Sequence, residues 1–550
     1  VIPQSGVSVA AGRIAIDIRR FPWIRRLAAD YAFDYGRVSE FYAGDPADPG
    51  AWRAVIDRVQ RHPRRRTEVA DLLQAQQRRR GAPPEAVAAA DRLRDPRAVA
   101  IVTGQQAGLF GGPLFTLLKA LTAIRIAERI EAEHHVPVVP IFWVEGEDHD
   151  WDEVKSCGIL DSEDAHKTID IGNPPGAHEG PVARVCLDDS ATRALDELEA
   201  TLRPTDFTRE ILDTLRAAYR VGAGMADAFG QCLEAVLGPR GLVVYDASDR
   251  AAKPLVADIF IREVEHAGET SRLAREAGAR LQECGYHAQA TPHEGSLALF
   301  HLNAGREPIQ VEGDLFVAGN QRESKEQLIA RVRQSPEEFS PNVLLRPLVQ
   351  DTLFPTVCYV AGPNELAYLG QLGGVYRAFD IPLPLMQQRA TATVVDSNAM
   401  RFLMRHELPL EALRAQDEAA LNQLLEAQLP PTVEASLDDA MRVVDERMTT
   451  LASEVQQIDA TLEGATRSVL GRMQDDLKKL HAKIIHAAKR KDETLRRQFH
   501  HAQAQAFPGG HPQEREIAFV YFLNKYGSAL VDRLSDELPL DMGQHWVVTI

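Results

Sequence analysis

The sequence predicts an α/β fold, a parallel-sheet core carrying two long insertions and followed by an α-helical coiled-coil region. Three observations predict it. Val99-Ala-Ile-Val-Thr103 and the run from Val136 to Val144 are apolar and rich in β-branched residues, with a glycine-rich loop and a helical pattern between them. Two more runs of the same character, Leu242-Val-Val-Tyr245 and Thr356-Val-Cys-Tyr-Val360, recur after stretches too long to be plain loops. Beyond Pro384 the composition turns to Ala, Glu, Gln, Arg and Leu, and apolar residues from Leu437 to Val469 alternate four and three apart.

In chain order, the first hundred residues read as helices, with Phe21, Trp23, Leu27, Tyr31 and Phe33 forming an apolar face. After the Val99 strand comes Gly104-Gln-Gln-Ala-Gly-Leu-Phe-Gly-Gly112, and Pro113 stands where its missing N–H costs nothing, at a helix start. Leu114, Leu117, Leu118, Leu121, Ile124 and Ile130 keep helical spacing to about Glu133, so the strands at Val99 and Val136 are expected to be parallel with a right-handed crossover. The stretches before and after the Leu242 strand are read as insertions that wall a site, the second containing a hairpin over Gln310–Val317.

The coil region runs through Leu437, Met441, Val444, Met448, Leu451, Val455, Ile458, Leu462, Ala465 and Val469, and continues through Met473, Leu477, Leu480, Ile484 and Ala487 after a stutter. One long rod and a hairpin turning near Gly464 both satisfy this pattern, and a stripe of this length needs a partner. The helix stops at Phe507-Pro-Gly-Gly-His-Pro512, and the last forty residues return as helix and a strand over Trp546–Ile550.

With 62 Lys and Arg against 79 Asp and Glu, the formal net charge is −17, which argues against a protein that coats nucleic acid or an anionic membrane. One stretch, Arg53 to Arg80, holds nine Arg and three acids. It reads as a solvated helical face rather than a polyanion-docking patch, because aromatic residues do not interleave it. The densest apolar run has nine residues, broken by Pro137 and Pro140, against the ~20 a spanning helix needs. No basic-then-apolar leader is evident, so the expected compartment is the cytoplasm. Five scattered cysteines, Cys157, Cys186, Cys232, Cys284 and Cys358, form neither a disulfide framework nor a zinc site and are expected as reduced, mostly buried thiols.

Ligands of an open parallel sheet bind outside the carboxyl ends of its strands. The glycine loop running into the Pro113 helix is one such end, where free backbone N–H groups and the helix dipole are expected to hold a carboxylate or phosphate, with Lys119 in reach. It lacks the closing Gly-Lys-Ser/Thr of a P-loop and the G-x-G-x-x-G spacing. A second end is Glu145-Gly-Glu-Asp-His-Asp150. Acids and an imidazole there suit Mg²⁺, an ammonium group, or His149 as a base oriented by a carboxylate, whereas zinc is disfavoured without His-x-x-x-His or a nearby thiolate. The third is Gly362-Pro-Asn-Glu365, where Asn364 reads equally as a helix cap. Asp246 and Asp249 are a fourth, weaker candidate.

Thr103-Gly-Gln-Gln-Ala-Gly-Leu-Phe-Gly-Gly-Pro-Leu-Phe-Thr-Leu-Leu-Lys119, Phe142-Trp143 with Glu147-Asp-His-Asp150, Leu345-Arg-Pro347 with Gly362-Pro-Asn-Glu365, and Gln513-Glu-Arg515 together resemble the cysteine-adding enzyme family of bacillithiol biosynthesis, BshC. The resemblance runs over essentially the whole chain. It implies a cytoplasmic ligase that adds L-cysteine to glucosaminyl-malate. The implied fold is a Rossmann-like core over 1–385 with two connecting-peptide insertions, near 160–235 and 265–345. A helical coiled-coil domain over 386–506 then mediates a homodimer, and a segment over 507–550 returns to the core. Thr103, Gln105, Gln106, Lys119, Asn364 and Glu365 are the implied substrate contacts, and Glu147, Asp148, His149 and Asp150 the implied catalytic group. A second pocket near the coil is implied to take ATP or another nucleotide, through Lys489, Arg490, Gln513 and Arg515.

Forming an amide from a carboxylate and an ammonium at neutral pH is uphill, so the cysteine carboxylate is expected to be activated and the amine deprotonated, by His149 or a neighbouring acid. Two rival readings are a nucleotidyl-transferase-like enzyme acting on another acid and amine, and a coiled-coil scaffold that binds a metabolite without turnover.

Overall fold

The computed structural model describes residues 7–10, 13–303, 305–427, 431–491 and 493–550. It divides into two compact units, residues 1–394 with 512–550, and residues 395–511.

The first unit opens with strands, not helices. Strands β1 (Val7–Ala10) and β2 (Arg13–Asp17) form an antiparallel hairpin. β2 also pairs with the last strand of the chain, so its stability comes from residues more than five hundred positions away and local pattern does not reveal it. The helices expected next are present, at Arg26–Phe33, Pro49–Arg61, Arg66–Arg80 and Pro84–Asp91. The arginine-rich stretch is partly inward-facing. Arg64 donates to the Val59 carbonyl (2.7 Å), Arg66 to that of Ala98 (2.9 Å), and Arg80 makes a buried bidentate pair with Glu234.

Strand β3 (Val99–Gln106) leads through the glycine loop into the Leu114–His134 helix, and β4 (Val138–Glu145) follows. In the first excursion, between β4 and the next sheet strand, the chain forms the short helix Trp151–Val154, the hairpin β5 (Ser156–Leu160) and β6 (His166–Asp170), and three longer helices, of which Met225–Leu237 packs in the core beside β7 (Val243–Asp246). The second excursion builds a sheet of its own from β8 (Ser296–Leu302), β9 (Arg306–Glu312), β10 (Leu315–Ala318), β11 (Gln321–Ser324) and β12 (Phe339–Pro341), in the order β11-β10-β9-β8-β12. The hairpin read over Gln310–Val317 is its β9–β10 turn, with Val311 opposite Phe316. Strands β13 (Thr356–Ala361), β14 (Leu385–Gln388), β15 (Thr391–Val395) and β16 (Gln544–Thr549) complete the unit.

The central sheet has the order β14-β13-β3-β4-β7, and every neighbouring pair is parallel. Successive residues of its strands enter opposite cores. Trp143 and Tyr245 lie in one with the second insertion, Phe142 and Val244 in the other with the Leu114–His134 helix. Burial on both faces is why these strands read as unbroken apolar runs.

The second unit contains a helical hairpin, Pro431–Val455 and Thr461–Lys491, and not one rod. The turn lies before Gly464, because Asp459 accepts from the Thr461 N–H (2.9 Å) and so caps the second helix there. Gln474 donates to Asp445 and His481 meets Glu434, the pairing of an antiparallel hairpin. Passing through the turn resets the helical phase. Leu437, Met441, Val444 and Met448 are half-buried as expected, but on the return helix Leu470, Leu477 and Ile484 turn inward, while Leu462, Val469, Met473 and Leu480 are left exposed. None of the described helices is long and apolar enough to cross a membrane.

Candidate functional site

In chain order the central strands run outward from β3 in both directions, so the sheet reverses between β3 and β13. A crevice opens at such a reversal, beyond the carboxyl ends of the strands, and a cavity of about 900 Å³ lies there. Gly104 lines it, and its lack of a Cβ lets β3 lie close to β4, since a Cβ there would stand 2.8 Å from the Trp143 carbonyl oxygen.

Lys119 and Glu365 meet at the reversal. Lys119, on the first helix, is 3% exposed, and its Nζ lies 2.6 Å from Glu365 Oε2 while donating to the Gly104 carbonyl (2.9 Å) and Gln105 Oε1 (3.2 Å). Glu365 also accepts from the Gly362 N–H (2.5 Å) and the Tyr359 hydroxyl (3.2 Å). Burial would raise its pKa, but the Lys119 charge and these donors outweigh burial and hold it below the usual carboxylate range. Asn364 makes no capping bond and lines the cavity.

Beside this pair, Trp143 Nε1 donates to Glu145 Oε2 (3.0 Å), and Arg346 Nε stands 4.0 Å from the same oxygen. The Arg346 guanidinium covers the Trp143 and Tyr359 rings, with centroids 5.5 and 5.6 Å away. Burial raises the Glu145 pKa, with Arg346 opposing. On the next wall Gln106 donates to Asp148 Oδ2 (2.6 Å), and Arg306, from β9 of the second insertion, lies 3.8 Å from Asp148 Oδ1. The remaining wall comes from the returning C-terminal segment. Arg389 forms a buried bidentate pair with Glu514 (2.7 and 2.9 Å), and Arg515 covers the Phe115 ring without an ion-pair partner within 4 Å among the described residues. Cys157 also lines the cavity, its thiol pushed up to about 12 by burial and therefore protonated near neutrality.

Seven of the sequence candidates thus meet around one space: Gln105, Gln106, Lys119, Asp148, Asn364, Glu365 and Arg515. Others stand elsewhere. Thr103 is fully buried and spends its hydroxyl on the Val360 carbonyl (2.9 Å), tying β3 to β13. Glu147 turns away from the cavity into a buried pair with Lys253, supported by the Ser340 hydroxyl (3.1 Å). The His149 side chain is 67% exposed and outside the cavity, which removes the geometry a base there would need. Asp150 caps the short Trp151–Val154 helix. Gln513 is buried and clamps both backbone groups of Val394 (2.7 and 2.8 Å). Asp246 is buried against Ser248, and Asp249 caps the helical turn after it. The side chains of Lys489 and Arg490 lie outside the described residues.

Several of the N–H groups expected to cradle an anion at the glycine loop are already bonded. The N–H groups of Gly108, Gly111 and Gly112 are bonded within the loop, Gly111 also to the Tyr219 hydroxyl, and the Leu114 N–H donates to the Ile517 carbonyl. Positive charge reaches the cavity through side chains instead. Arg306 and Arg389 escaped sequence reasoning; Arg306 lies outside every motif, and the only trace of Arg389 is a lone cation in the apolar stretch from Leu385 to Val395. Glu145 and Arg346 lay within quoted motifs but were not singled out.

No group of three or more His, Cys, Asp or Glu among the described residues is arranged to hold a metal ion.

Residues 15–390 match the family model of the bacillithiol biosynthesis BshC N-terminal Rossmann-like domain, and residues 392–550 that of the BshC C-terminal coiled-coil domain. The second match includes residues 512–550, which in the structure belong to the first unit. Proteins named "Putative cysteine ligase BshC" align over nearly their whole length. The one from Salinibacter ruber is 34% identical, covering 95% of this chain and 96% of its own. That from Koribacter versatilis is 32% identical (95% and 97%), and that from Symbiobacterium thermophilum 31% (94% of each).

Proposed function

The chain belongs to the BshC family of bacillithiol biosynthesis, and from that premise we propose that it is a ligase joining L-cysteine to the amine of glucosaminyl-malate, the step that completes bacillithiol. The observation that carries this reading is the charge arrangement of the cavity at the sheet reversal. Arg306, Arg346 and Arg515 face a space of about 900 Å³ that also holds Glu145 and Asp148. A substrate with two malate carboxylates and an ammonium matches both signs, and a second amino acid fits in the same volume.

Amide formation needs an activated acyl group, and ATP as cosubstrate supplies it, as acyl phosphate or acyl adenylate. Arg515, above an aromatic ring and with no ion-pair partner within 4 Å among the described residues, suits a phosphate or carboxylate oxygen. A Mg²⁺ ion arriving with ATP would take most of its ligands from phosphate and water. The buried Arg389–Glu514 and Lys119–Glu365 pairs act as walls, holding the returning segment and the reversal point in place.

The proposal includes a homodimer, supported by the exposed stripe of Leu462, Val469, Met473 and Leu480 on the helical hairpin. A sedimentation measurement giving a monomer at micromolar concentration would remove that part alone.

The test is mass spectrometry of the full chain with cysteine, glucosaminyl-malate and Mg-ATP, beside a tube without ATP. Bacillithiol formed only with ATP, with AMP or ADP released, is the expected result and also names the class of intermediate. Absence of the thiol product in both tubes from folded protein overturns the assignment.

A further inference from the structure

We infer that Glu145 is the catalytic residue that accepts the proton of the incoming amine, with Trp143 and Arg346 as its positioning residues. The inference rests on the reading above and deepens it at one atom.

Amide formation needs a base inside the cavity, and a carboxylate serves only if an oxygen is open to the substrate. Glu365 has both oxygens engaged, by Lys119, the Gly362 N–H and the Tyr359 hydroxyl. Asp148 Oδ2 is held by Gln106, and Oδ1 accepts from the His149 N–H (2.7 Å) and faces Arg306. Glu514 is closed by Arg389. His166 lines the wall, but its Nε2 is sealed from solvent against Gly158. Glu153 lines the outer wall, where burial raises its pKa and a hydrogen bond from Gln106 opposes that, but among the described residues no cation stands within 4 Å to fix the direction of its carboxylate.

Glu145 differs from all of these. Both Trp143 and Arg346 address Oε2, and among the described residues Oε1 has no partner and is not sealed. The carboxylate stands at the carboxyl end of β4, beside the reversal point and the ring-stacked Arg346, so its direction is set by rigid neighbours. Burial strengthens it as a base; the groups that face it are Arg346 and Arg306, which oppose that effect, and Glu147, which adds to it.

The R–NH₃⁺ group passes one proton to Glu145 Oε1. The freed nitrogen lone pair forms the C–N bond at the acyl carbon of ATP-activated cysteine. The acyl–oxygen bond breaks with its electron pair leaving on phosphate or AMP. The second nitrogen proton passes to water, and Glu145 returns its own there.

The experiment compares wild type, Glu145→Gln and Glu145→Asp in the ligase assay at about pH 7 and about pH 9, spanning an amine pKa near ~8. Glu145→Gln should lower kcat by ~10²–10⁴ at the lower pH, with cysteine-dependent ATP consumption retained. The defect should shrink at the higher pH, where the amine arrives already deprotonated, and Glu145→Asp should recover part of the rate. A merely structural role would give a defect independent of pH. Product from wild type together with Glu145→Gln turnover within about threefold at pH 7, or a pH-independent defect in folded variants, overturns the assignment of Glu145 while leaving the ligase reading intact. No product from wild type overturns the ligase reading itself.

Discussion

Replacing Lys119 by methionine tests whether the sheet reversal is held by a buried ion pair. The substitution keeps the side chain's length and apolar stem but removes the charge. It leaves Glu365 Oε2 without its partner at 2.6 Å and the Gly104 carbonyl without its donor at 2.9 Å, at a position 3% exposed. Breaking a buried pair by removing one member costs about 3–5 kcal/mol, because the remaining charge has no solvent. For a unit of roughly 430 residues, an unfolding entropy of about 2.1 cal/mol/K per residue converts this to a Tm loss of about 3–5 °C. Scanning calorimetry of the full chain reads it, and a double-mutant cycle with Glu365→Gln isolates the pair. The double variant should be less destabilised than the sum of the single ones by about 2 kcal/mol or more. The pH dependence has a fixed sign. Glu365 is held below its ordinary pKa, so the contribution of the pair is present above about pH 4.3 and is lost as pH falls through the lower folded value. A Lys119→Met variant that melts within 1 °C of wild type at about pH 7, or a cycle that is additive, refutes the reasoning.

His149→Ala should leave kcat and KM of the ligase assay within about twofold, since the ring is exposed and outside the cavity; a loss near the ~10²-fold expected of a missing base would reinstate it. His545 is buried beside Thr393, and burial pulls its pKa down to about 4. The unfolded chain therefore binds a proton between pH ~6.5 and ~4 that the folded chain refuses, and stability falls by about 3 kcal/mol as pH drops through that window. Denaturant titrations of wild type and His545→Gln should differ in slope only there, and parallel curves would contradict the assignment. Gly111 has φ +88°, and a Cβ there would collide with the Phe519 ring, so Gly111→Ala should destabilise the first unit by about 1–3 kcal/mol. An unchanged denaturation midpoint would show that the loop and the returning segment are not locked together.

The elements legible in the sequence were those whose signal is local. The four apolar runs at Val99, Val136, Leu242 and Thr356 are strands of one sheet because burial on both faces demands continuous apolar residues. Pro113 and the Leu114 periodicity marked the first helix for similarly local reasons. The N-terminal hairpin was missed because β2 is completed by β16 from the other end of the chain. The coil's hairpin turn was misplaced at Gly464 because the Asp459 cap, and not the glycine, sets it.

At the site, residue type was readable and residue direction was not. The acidic segment after β4 was visible as a cluster, yet its side chains diverge. Glu145 and Asp148 face the cavity, Glu147 pairs with Lys253, His149 points to solvent and Asp150 caps a helix. The glycine loop was visible as an anion site, yet the N–H groups of Gly108, Gly111 and Gly112 are bonded within the loop, Gly111 also to the Tyr219 hydroxyl, and the Leu114 N–H at the helix start donates to the Ile517 carbonyl. By itself the sequence determined where the chain forms parallel strands and helices, and which acids, amides and cations stand near strand ends, because periodicity and composition act over a few residues. Tertiary structure alone decided which of them share a space. Arg306, Arg389 and Arg515 come to one cavity from separate parts of the chain because the second insertion and the C-terminal segment fold back on the sheet. Burial and charge pairing across those distances then select the side chains that remain free to meet a substrate.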